Sequence, residues 1–167
     1  LGADSFVLEE DGIQQQLDVV RPETMPATYA LVVDSSQSMS RRPDFLHDAA
    51  EHLVSFLRPQ DRVLVVPFTK TLGAITGPTN DVPTITEAVE HIEPGGGTAI
   101  RNALIDVSHR LAGVEGRHVI VLLTDGYDEH STVPFADALE AVRTSGSTVF
   151  VIGIGGVVLR DSRIKLF

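Results

Sequence analysis

The sequence contains no cysteine, which excludes disulfides and thiolate metal sites while leaving the redox compartment open. It also lacks any apolar run long enough to cross a bilayer as a helix. Basic side chains are scarce: 13 Lys and Arg stand against 23 Asp and Glu, a formal charge of −10. That balance disfavours a phosphate-backbone partner and suits a protein that attracts cations, so no nucleic-acid partner is expected. The histidines at 47, 52, 91, 109, 118 and 130 form no His-x-x-x-His pair, so nothing points to zinc. No internal repeat or low-complexity tract is present, and the sequence opens at Leu1 without a leader pattern; it is read as a mature product or, in preference, as trimmed from a longer one.

What is present fits one domain with a substantial core: 167 residues, 43% of them apolar. The segment FVLEEDGIQQQLDVV, residues 6–20, places Asp11-Gly12 between two strand-like runs and predicts a β-hairpin. Pro22 and Pro26 bracket a linker, so residues 1–28 are read as a hairpin appendage and linker, and residues 29–167 as the domain proper. From Tyr29 onward, apolar runs of strand length (29–33, 62–68, 118–124 and 148–154) alternate with helical stripes. The first stripe is Leu46, Ala49, Ala50, Leu53, Val54 and Leu57, and three more run through Ile85–Ile92, Ile100–Leu111 and Phe135–Val142. This alternation predicts an α/β fold with a mostly parallel central sheet and helices on both faces. Thr71–Thr76 is expected as a short edge strand, joined to strand 62–68 by a tight turn at Thr69-Lys70. The stretch from Val157 to Phe167 is too short and irregular for a full closing helix, which is therefore expected to be missing.

In open α/β sheets, ligand sites form at the carboxyl ends of strands. Asp34 ends the first domain strand, and Ser36 and Ser38 follow at steps of two in DSSQSMS. Asp125 ends strand 118–124 in LLTDGYD, and the loop PGGGT brings Thr98 to the start of a helix as its expected N-cap. Alone, Asp34 with its two serines is equally well a turn and helix cap. Taken with Thr98 and Asp125, the set offers two carboxylates and three hydroxyls, which suits a hard divalent cation, Mg²⁺ first and Mn²⁺ or Ca²⁺ next, over zinc. Two aspartates neutralise a doubly charged ion only formally, which leaves a position for water or a partner's carboxylate. The Gly95–Gly97 run lacks the Gly-Lys-Ser/Thr ending of a phosphate-binding loop.

This pattern resembles the von Willebrand factor A domain family and its metal-ion-dependent adhesion site, D-x-S-x-S followed by a distant Thr and Asp. The matching residues are Asp34, Ser36, Ser38, Thr98 and Asp125, and the likeness runs from about Tyr29 to Gly155. The resemblance implies a Rossmann-like three-layer fold with one antiparallel edge strand. It also implies a non-enzymatic, metal-dependent protein-binding role in which the bound ion captures an acidic side chain of a partner. The N-terminal segment is similar to the lead-in of a bacterial subgroup that is usually exported, which implies an extracytoplasmic location. Gln37 stands where many members have Gly, so strain is expected in that loop. Tyr127, an aromatic beside the site, and Asp128 are candidate partner contacts.

Two other functions fit parts of the sequence. One is a scaffold with a vestigial metal site that binds through the N-terminal hairpin by strand addition, or pairs with a second copy. The other is aspartate-based phosphoryl transfer, which the sequence disfavours because Ser36 stands where a D-x-D site has its second acid.

Overall fold

A computed structural model describes residues 5–17, 24–41 and 43–153. Strands β1 (Leu8–Glu10) and β2 (Ile13–Gln15) form the expected hairpin, closed by the two-residue turn Asp11-Gly12. Both turn residues have positive φ, 52° and 79°, the geometry that matches the twist of a tight hairpin. The hairpin leaves Phe6, Val7, Leu8 and Ile13 exposed.

The domain proper is a five-stranded sheet built from β3 (Ala27–Asp34), β4 (Arg62–Phe68), β5 (Thr76–Thr79), β6 (Arg117–Thr124) and β7 (Thr148–Gly153). The spatial order is β5-β4-β3-β6-β7, parallel throughout except for β5, which runs antiparallel along β4. β3 begins at Ala27, two residues before the expected boundary, because its first residue already pairs with Arg117 of β6. The edge strand also differs from expectation. Within Thr71–Thr76, Leu72 makes an isolated bridge to Phe68 and Thr76 opens the paired strand, which lies at 76–79 with a register shift against β4. The polar, glycine- and proline-containing stretch there has no alternating pattern to mark it.

Helices α1 (Pro43–Ser55), α2 (Val82–Glu90), α3 (Ile100–Leu111) and α4 (Phe135–Thr144) match the four stripes. Successive residues of a strand point to opposite faces. Leu31 and Val33, with Val63, Val65 and Leu123, therefore pack under α1 and α2 through Leu46, Ala50, Ile85 and Val89. Ala30 and Val32, with Val66, Phe68, Ile120 and Leu122, pack under α3 through Ala103, Val107 and Leu111. α4 packs against α3. The central strands are buried on both faces, which explains why they read as unbroken apolar runs. The closing-helix expectation for Val157–Phe167 falls outside the described residues.

Candidate metal centre

The ends of β3 and its neighbours set the site. Asp34 is opposite Phe68 of β4, and Val33 is opposite Leu123 of β6, so three strand ends come level. The chain then turns sharply. Ser35 donates to the Phe68 carbonyl through both its N–H (2.8 Å) and its hydroxyl (2.9 Å), and Ser36 N–H closes an Asx turn on Asp34 Oδ1 at 2.9 Å. Met39, 2% exposed, plugs into the core and holds the short 3₁₀ helix Gln37–Arg41 against the sheet. Among the described residues Asp11 is the only non-glycine residue with positive φ, so the strain expected at Gln37 is absent. The two serine hydroxyls are 3.0 Å apart, and Ser38 donates to Asp125 Oδ1 at 2.9 Å.

The glycine-rich loop is hung from the same strand ends. Gly95 N–H donates to the Ser35 carbonyl at 2.7 Å and Ala99 N–H to the Thr69 carbonyl at 2.9 Å. Thr98 is buried at 6% exposure, and a Cβ placed on Gly126 would lie 3.9 Å from its hydroxyl oxygen, which puts that hydroxyl beside the Asp125 turn. Thr98 is not the N-cap expected from the sequence. Ala99 occupies that position, and the free N–H groups of α3 are met by another loop: Arg101 N–H donates to Asp128 Oδ2 and Ser131 Oγ, and Asn102 N–H to Ser131 Oγ. The Thr98 side chain is thus left for other work. The carbonyl of Thr98 in turn accepts from Glu129 and His130 N–H, and the His130 ring lies directly over Gly97, where any Cβ would collide with it.

Sequence reasoning placed Tyr127 and Asp128 together at the rim, but they differ in exposure. Tyr127 is 50% exposed. The Asp128 carboxylate turns inward to the Arg101 guanidinium at 2.7 Å and the Ser131 N–H at 3.1 Å. Burial pushes the Asp128 carboxyl up, but the hydrogen bonds from Ser131 and Arg101 outweigh it and leave the group below its ordinary value. Asp128→Ala is therefore expected to cost about 1–3 kcal/mol by leaving the Arg101 and Ser131 donors unpaired. Urea unfolding at neutral pH measures that loss.

Of the two site carboxylates, Asp34 has no solvent exposure. Its Oδ2 accepts the Thr124 hydroxyl at 2.6 Å, and Thr124 Oγ1 accepts Gly126 N–H at 3.3 Å. Sequence reasoning had passed over Thr124; its place immediately before Asp125 was the available signal. Among the side chains described, no Lys, Arg or His reaches ion-pair distance of Asp34 or Asp125. A buried carboxylate without a counter-charge is costly. Nor do the described residues hold any cluster of three His, Asp or Glu suited to a metal. The convergent groups are all oxygens, two carboxylates and three hydroxyls, and this donor set fits a hard divalent cation.

Comparison with known proteins places the chain among related folds. Residues 29–127 match the family model of the von Willebrand factor type A domain. A von Willebrand factor type A structure from Catenulispora acidiphila shares 24% identity at a TM-score of 0.64, over 78% of this chain and 33% of that one. The BatB protein of Bacteroides thetaiotaomicron shares 26% identity at a TM-score of 0.63, over 77% of this chain and 67% of that one. The pilus adhesin SpaC of Lactobacillus rhamnosus GG shares the fold at 15% identity and a TM-score of 0.62, over 80% of this chain and 25% of that one. The chain thus spans about a third of the Catenulispora structure and a quarter of SpaC. No curated protein matches the sequence.

Proposed function

The chain belongs to the von Willebrand factor type A domain family, and from that premise we propose that it is a metal-dependent protein-binding module. Asp34, Ser36, Ser38, Thr98 and Asp125 would hold one divalent cation, Mg²⁺ before Mn²⁺ or Ca²⁺. When bound, the ion supplies a Lewis-acidic point that an anionic oxygen of a partner protein completes. The observation that carries this reading is Asp34: a fully buried carboxylate that accepts the Ser36 N–H and the Thr124 hydroxyl, with no basic partner among the side chains described. Tyr127, exposed beside Asp125, is the contact surface the partner meets. Asp128, held by Arg101, serves to fix the loop that carries it.

A binding role also agrees with the company the fold keeps, since SpaC is a pilus adhesin and Mfa5 of Porphyromonas gingivalis a type V pili tip protein. The same company supports an extracytoplasmic location. No described helix is long and apolar enough to cross a membrane. Catalysis is not proposed, because Ser36, and no second carboxylate, stands two residues after Asp34.

The test is a calorimetric titration of Mg²⁺ into chelator-treated protein, followed by a glutamate-bearing peptide. The expected result is saturable one-site binding of the ion, and peptide binding only in its presence. Absence of ion binding overturns the reading. Partner binding that survives chelation would move the function to the exposed hairpin, whose apolar residues offer a surface for strand addition.

A further inference from the structure

The five-residue set leaves out one buried hydroxyl at its centre. Thr124 is the last residue of β6, 7% exposed, and its hydroxyl donates to Asp34 Oδ2 at 2.6 Å. That length is within the range of a charge-assisted O–H···O⁻ bond. A hydroxyl has one proton and two lone pairs. Here the proton goes to Asp34 and a lone pair takes Gly126 N–H, so the rotor is fixed, and the branched Cβ stiffens it further. The Gly126 bond closes a hydroxyl-centred turn around Asp125. Asp34 is meanwhile held from its other oxygen by Ser36 N–H. A single side chain thus joins the two carboxylates, one by direct contact and the other through the turn it sits in.

We propose that Thr124 is the positioning residue of the cation site: its hydroxyl ties Asp34 to the Asp125 turn and sets the two carboxylates for one divalent ion. The inference rests on the cation reading above. It makes the site preorganised, so the ordering of both acids is complete before the ion arrives and does not weaken binding. A purely structural Thr124 would act differently. It would satisfy a buried carboxylate in the ion-free and ion-bound forms alike, and its loss would lower stability without changing affinity.

The experiment is Mg²⁺ calorimetry on chelator-treated wild type, Thr124→Val and Thr124→Ser. Thr124→Val keeps the branched shape and loses the hydroxyl, and its Mg²⁺ affinity is expected to fall about 10- to 100-fold, as for other groups that orient metal ligands. Thr124→Ser retains the hydroxyl and should bind within about threefold of wild type if the hydroxyl is what orients the acids. Wild-type affinity in Thr124→Val overturns the inference and leaves the cation reading standing. A wild-type protein that binds no Mg²⁺ overturns both. A second measurement needs no variant and can still overturn the inference if Thr124→Val does not fold. In Mg²⁺-saturated wild type, the Thr124 hydroxyl proton should appear in NMR spectra as a slowly exchanging signal. Exchange as fast as that of a free hydroxyl would mean the bond to Asp34 is gone, and the inference with it.

Discussion

Replacing Asp34 by asparagine is expected to remove Mg²⁺ binding while leaving the ion-free protein as stable as wild type or more so. The two effects have separate causes. On the proposed reading Asp34 supplies one of the two charges that face the ion, and its loss should lower affinity at least about 100-fold, or roughly 2.7 kcal/mol. In chelator, however, the wild-type protein carries a fully buried carboxylate with no basic partner among the side chains described. Asparagine keeps an oxygen for Ser36 N–H and removes the charge, while its amide nitrogen donates to Thr124 Oγ1 where Oδ2 accepted, so relief of the buried charge is expected to offset that one reversed bond. Ligand linkage sets the size of the crossover: at 100 times the dissociation constant the ion stabilises the wild type by about 2.7 kcal/mol. For a chain of this length that corresponds to a rise of roughly 5–11 °C in Tm. Thermal unfolding of both proteins, in chelator and in saturating Mg²⁺, checks it. The wild type should gain stability on adding the ion and the variant should not. A wild type whose Tm ignores Mg²⁺ would sink the cation site.

Much of this architecture was legible in the sequence because burial and period leave marks that are local. Residues 63–68 are an apolar run because both faces of the strand are covered, and the stripe from Leu46 to Val54 repeats at helical spacing because one face of α1 is. The five candidate site residues could be named for a related reason: each ends or follows a strand or precedes a helix, where an α/β fold must gather its loops. What failed was long-range. The cap of α3 comes from Asp128 and Ser131, about 30 residues away, so no local rule assigns it, and Thr98 took the role by default. The edge strand at Thr76–Thr79 has no apolar alternation and exists because β4 offers an open ladder beside it. Thr124 looked like the end of an apolar run, and only its partner, 90 residues earlier, shows what its hydroxyl does.

Asp61 carries the largest expected loss of stability, and sequence reasoning gave it no role. Its side chain is 1% exposed and both oxygens are doubly engaged. Oδ1 accepts from Ala27 N–H at 2.9 Å and from an Arg58 guanidinium nitrogen at 2.8 Å, while Oδ2 accepts from Arg58 N–H at 3.0 Å and Arg58 Nε at 2.9 Å. The same guanidinium reaches the Met25 carbonyl at 2.7 Å. The pair therefore fastens the start of β3, the central strand, to the loop that leads from α1 into β4. Asp61→Ala strands these donors, and breaking a buried pair from one side costs about 3–5 kcal/mol. Against a total margin of about 5–15 kcal/mol this is a large fraction. A drop of roughly 6–20 °C in Tm is expected.

The pH dependence separates this account from simple loss of packing. The hydrogen bond from Arg58 is the main cause that holds the Asp61 carboxyl down at about 2, against an ordinary 3.8, with burial opposing it. A carboxylate with a depressed folded-state pKa contributes stability that is fully present above its unfolded value and lost as pH falls through the folded one. The contribution should thus be intact above 3.8 and disappear towards about 2. Asp61→Asn, which has nearly the same shape and no charge, should be much less stable than wild type at neutral pH, and the gap should close as urea unfolding is repeated at falling pH through that window. A gap of constant size would assign the loss to packing and to the amide's unmatched N–H groups, and would remove the charged pair with Arg58 from the account of what holds β3 in register.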